Sequence, residues 1–121
     1  MEDDLTKDEI DSATETSKYL TTAPGYKSKF DVVDILTNGN IPTFESEADK
    51  VVCAVELGQL IRKTGFGTHS SNVAKFLNSV DIPHRAIFVK QLTLRYMEAM
   101  VRDEVLGPIT KELMVTLGYG K

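Results

Sequence analysis

The stretch SEADKVVCAVELGQLIRK, Ser46 to Lys63, limits what this chain can fold into more than any other. Ser46 with Asp49 three places on has the spacing of a helix N-cap, and the acidic residues fall in the first turn, where the helix dipole favours them. Arg62 and Lys63 occupy the last turn, and Gly65 follows as a stop signal. Between these ends Val51, Val52, Val55, Leu57, Leu60 and Ile61 wrap much of the helix surface. A helix apolar on so many sides must be covered by other elements. Gly58 in its interior costs up to ~1 kcal/mol relative to alanine, which marks a place where a second helix packs close.

The next segment, TGFGTHSSNVAKFLNSVDIP from Thr64 to Pro83, joins a glycine turn, a row of hydroxyls and an apolar ladder. It predicts a second helix over Ser70–Val80 with Val73, Phe76, Leu77 and Val80 on one face. Pro83 then opens a third, PHRAIFVKQLTLRYMEAMVRDEV, read as one continuous helix to Val105. Phe88, Leu92, Tyr96 and Ala99 form its apolar stripe, and Gln91, Arg95, Glu98 and Arg102 its polar one. Gly107-Pro108 reads as a break, followed by a last short helix in ITKELMVTLGY. FDVVDIL, residues 30–36, is too short for periodicity to separate helix from strand. Before it, TTAPGYKSK is a turn or linker.

These elements predict an all-α fold: a small bundle of four to five helices over residues 25–121, with a helix-turn-helix-like pair in it. Residues 1–24 carry few apolar side chains and many acidic ones, so they read as a flexible acidic arm. At 121 residues there is chain for one core.

Charge is uneven. Residues 1–50 hold five Lys/Arg against twelve Asp/Glu, whereas residues 51–102 hold seven against three. An acidic front and a basic back can mark an interaction arm beside an anion-facing domain, or simply two solvated surfaces. The amino terminus is acidic and polar where a secretory signal would be basic and then apolar. No apolar run approaches the ~20 residues of a membrane span. With one cysteine, Cys53, and no disulfide open to it within the chain, a cytoplasmic protein is expected.

The most specific functional reading is a DNA-binding regulator. VELGQLIRK would be the supporting helix, TGFGTHS the turn, and SNVAKFLNSV the helix entering the major groove of double-stranded DNA. Thr68, His69, Ser70, Ser71, Asn72 and Lys75 would then face base edges and phosphates. Arg62, Lys63 and Arg85 would supply flanking positive charge. The turn is longer than the compact motif prefers, and no strand pair follows to form a wing. A dimer through the third helix would suit this reading.

The rival is an adaptor or inhibitor that binds a protein partner. Its acidic arm would suit a basic surface, and Ile87, Val89, Leu94, Met97, Met100 and Val101 could leave an apolar patch for docking or self-association. They could equally be covered by the last helix and FDVVDIL.

Chemistry is poorly represented. GFGTHSS lacks the Lys-Ser/Thr pair and the preceding strand of a phosphate-binding P-loop. His69 and His84 sit at loop and helix-start positions, and Cys53 lies mid-helix as a small apolar residue. There is no HExxH zinc helix and no metal cluster of Cys and His. TLGYGK resembles a potassium-selectivity sequence only superficially, with no membrane helix to carry it. The expectation is a protein that binds and does not catalyse, without cofactor or metal.

Overall fold

The structure, a computed structural model, describes residues 30–116. Among these the chain is all-α, with six helices and no strand. The expected arm at 1–24 and most of TLGYGK lie outside the described residues.

Helix α1 spans Val32–Asn38, so FDVVDIL resolves as helix from Val32 onward, with Asp31 as its N-cap. The Asp31 carboxylate accepts the Asp34 N–H at 3.0 Å to start it. Gly39 ends it at φ +72°, donating to the Ile35 carbonyl at 3.0 Å. A β-carbon at Gly39 would also meet the Asn72 side-chain oxygen, so glycine is required there twice over. Seven residues cannot hold a helix alone. α1 persists by burying Ile35 and Leu36 against its neighbours.

Helix α2, Glu47–Thr64, is the central element and follows the sequence signals closely. Ser46 Oγ accepts the Asp49 N–H at 3.2 Å, and the Gly65 N–H bonds the Ile61 carbonyl at 2.6 Å. Cys53, Ala54, Val55, Leu57 and Ile61 are fully buried. Helix α3 spans Ser70–Asn78 and buries Val73, Ala74, Phe76 and Leu77.

The expected long third helix is two helices. α4 covers Ile82–Lys90, beginning one residue before Pro83, and α5 covers Leu94–Arg102. At the break the backbone tightens, with the Gln91 N–H bonding Phe88 and the Leu92 N–H bonding Val89. The Gln91 side-chain amide instead donates to the Ile87 carbonyl at 3.1 Å. Thr93 then turns extended and caps α5 by accepting the Tyr96 N–H. Gln91, placed on the polar stripe by periodicity, is buried. The break rotates it out of register with Arg95 and Glu98, which remain exposed.

Gly107-Pro108 opens a helix where the sequence suggested an interruption. α6 spans Gly107–Thr116, with proline in its first turn, where a missing N–H costs nothing. α2 packs on α1 and α4, α1 on α3, α5 on α6, and α4 on α6. Phe44, Phe76 and Phe88 run through the core at ring separations of 6.5 and 6.0 Å. No described helix is long and apolar enough to cross a membrane.

Candidate binding surface

The turn from α2 to α3 is shaped by Gly65 and Gly67, both at positive φ, with Phe66 between them driven into the core. The Tyr96 ring of α5 lies over Gly65, within 3.5 Å of where a β-carbon would stand. α5 therefore backs this turn, and the amino terminus of α3 emerges beside it. His69 occupies the N-cap of α3 without a side-chain capping bond.

The nine residues expected to meet DNA divide into two groups. Arg62, Lys63, Thr68, Ser71 and Lys75 are exposed. Ser70, Asn72 and Arg85 are half-buried and bonded within the chain. Ser70 Oγ donates to the Asp103 carboxylate. Asn72 Nδ2 donates to the Leu36 carbonyl at 2.8 Å, fastening α3 to α1. Arg85 Nε donates to the Leu77 carbonyl at 2.7 Å, fastening α4 to the end of α3. His69 is half-buried in the turn.

Asp103 gives this corner a negative charge. Its second oxygen accepts the N–H groups of Val105 and Leu106 at 2.8 and 2.9 Å, folding the link into α6. The Ser70 hydroxyl, followed by the Leu106 N–H, holds its carboxyl below the usual range, so it is ionised at neutral pH. A carboxylate at a helix amino terminus satisfies the dipole there and opposes the approach of a phosphate.

A second cluster joins α2 to α4. His84 is buried, with Nε2 2.9 Å from Glu47 Oε1 and Nδ1 accepting the Asp81 N–H at 3.3 Å. Lys50 Nζ stands 3.3 Å from Glu47 and 3.8 Å from Asp81. Glu47, Asp81 and His84 are the one trio among the described residues that brings three ligand-type atoms together. The arrangement does not suit a cation. Lys50 already supplies positive charge to both carboxylates, and an acceptor role for Nδ1 leaves the ring proton on Nε2. The sequence marks His84 as an ordinary capping position at a helix start, and the structure places it in the capping box with Asp81; its contact with Glu47 across to α2 is not legible from local spacing.

Comparison with protein-family models, with curated proteins and with solved structures finds no match in any of the three.

A third feature is apolar. Leu94 is 70% exposed at the start of α5, with Met97 and Val101 half-buried at i+3 and i+7 on the same side. Val105, just past α5, and Val115, on the packed neighbour α6, are also exposed. By contrast Ile87, Val89 and Met100 are covered. Cys53 is fully buried, and burial, then the Glu56 charge, pushes its thiol up to about 12. At that value the nucleophilic thiolate is negligible at neutral pH.

Proposed function

We propose that this chain is a protein-binding module, acting as an adaptor or inhibitor without chemistry of its own. The observation that carries the reading is Leu94, a large apolar side chain left exposed on an amphipathic helix whose other side is packed. Exposing it costs free energy that contact with a partner would recover, at about 25 cal/mol per Å² of apolar surface buried. Met97 and Val101 extend the contact along α5. The acidic residues before Val51 add long-range attraction toward a partner with a basic surface, which acts mainly on the association rate.

Double-stranded DNA is the less favoured ligand. Reading bases through Ser70 and Asn72 would require breaking their bonds to Asp103 and Leu36. The described residues hold nine Lys/Arg against eleven Asp/Glu, so they supply no net positive field.

Native affinity capture with the full chain, with Leu94→Glu and with residues 1–24 deleted tests the proposal. The expected result is a bound protein whose association is lost with Leu94→Glu and made slower and less salt-sensitive by the deletion. Partners retained equally by all three overturn the reading. Low-salt duplex binding that weakens with Arg62→Ala and Lys75→Ala would install the DNA-binding regulator in its place.

A further inference from the structure

We propose that the joint between α2 and α4 is an acid-sensitive latch, in which neutral His84 holds the two helices together and its protonation releases them. The basis is the directionality of its hydrogen bonds. Nδ1 faces the Asp81 backbone N–H, a group that can only donate, so this nitrogen must carry a lone pair. The proton then resides on Nε2, which donates to Glu47 of α2. One neutral tautomer thus caps the start of α4 and reaches across to α2. A protonated ring carries hydrogens on both nitrogens, and its Nδ1–H would oppose the Asp81 N–H. The cap of α4 is lost even though the contact to Glu47 gains charge.

The surroundings decide which effect wins. α2 presents Glu47 and Lys50 to the ring, and the turn before α4 presents Asp81; α6, also packed on α4, contributes no charged group acting on it. The two carboxylates favour protonation. Burial and the Lys50 ammonium oppose it, and burial is the largest influence, so the ring titrates below the ordinary histidine value of 6.5. Glu47 and Asp81 are largely exposed, which screens their attraction, whereas the ring itself is nearly inaccessible.

The sign of the pH dependence follows. Above both the folded and the unfolded pKa, His84 is neutral in either state and carries no penalty. As pH falls through about 6.5, the unfolded chain takes up a proton before the folded one, and folding is disfavoured. The loss reaches at most about tenfold in the folded-to-unfolded ratio per pH unit, and levels off below the lowered folded value. Acidification thus loosens α4 against α2 while Glu47, held below its ordinary value chiefly by the Lys50 hydrogen bond, stays ionised.

The test combines a titration with a substitution in the full chain. Nitrogen-15 NMR of the imidazole is expected to show the Nε2–H tautomer at about pH 7.5 and a midpoint below the ordinary histidine value. His84→Gln keeps a capping acceptor at the third helical position without a titrating group. It is expected to fold and to lose less stability than the parent between about pH 7 and pH 5, in urea titrations. A midpoint at or above the ordinary value, or an Nδ1–H tautomer, overturns the latch whether or not the variant folds. Equal acid losses in parent and variant do the same.

Discussion

Gly58→Ala tests the packing at the centre of the molecule, because two effects of opposite sign meet there. In an exposed helix interior, replacing glycine by alanine gains about 1 kcal/mol from reduced backbone freedom in the unfolded chain. At Gly58 a β-carbon would stand 2.7 and 2.8 Å from Gln91 Cβ and Cγ, and 2.9 Å from the Phe88 carbonyl oxygen. The first two atoms belong to a fully buried side chain just beyond the end of α4, and the third is backbone. None can swing aside as an exposed side chain would. Relief to an ordinary contact near 3.5 Å requires α2 and α4 to separate by several tenths of an ångström, which weakens the dispersion contacts across their interface. Overpacking of this kind costs about 1–3 kcal/mol. Subtracting the propensity gain leaves a net loss of about 0–2 kcal/mol. Urea titration should show a midpoint at or below the parent's at unchanged slope, and the melting temperature should fall by about 4–8 °C for each kcal/mol lost. A variant more stable than the parent would refute the close crossing of α2 and α4.

Cys53→Ala should cost about 1 kcal/mol for the small volume lost, and the parent thiol should resist a bulky alkylating reagent in the folded state. Fast labelling without unfolding would contradict its burial. Ser70→Ala should cost about 1 kcal/mol at neutral pH by removing the hydroxyl from Asp103. Because Asp103 titrates below its ordinary value of 3.8 when folded, its contribution is full above that value and is lost as pH falls through the lowered one. Acid titration monitored by circular dichroism should therefore show a smaller acid-side loss in Ser70→Ala than in the parent, and parallel curves would show that the bond does not matter.

Helix α2 was legible because its signals are local. Ser46, Asp49, Arg62, Lys63 and Gly65 each act within a turn of the helix end, and the structure places each at such an end. The close approach at Gly58 was legible for a related reason, since an interior glycine has a local cost that packing offsets. The division between α4 and α5 was not, because the apolar residues keep helical spacing straight through it. Phe88, Leu92, Tyr96 and Ala99 fit one stripe on paper, but Leu92 belongs to the break and Tyr96 turns toward Gly65. The available clue was Thr93, a good N-cap residue, and its weight depends on where Gln91 is buried, which is a tertiary fact. The same limit governed the expected DNA-facing residues. Ser, Asn and Arg next to a helix start look alike in sequence whether they wait for a ligand or bind their own chain. What separates them is the position of Leu36, Leu77 and Asp103, which lie 36, 8 and 33 residues away along the chain. Hydroxyl and amide groups identify a donor; only the fold supplies the acceptor, and here the fold has claimed three donors that the motif reading had assigned to DNA.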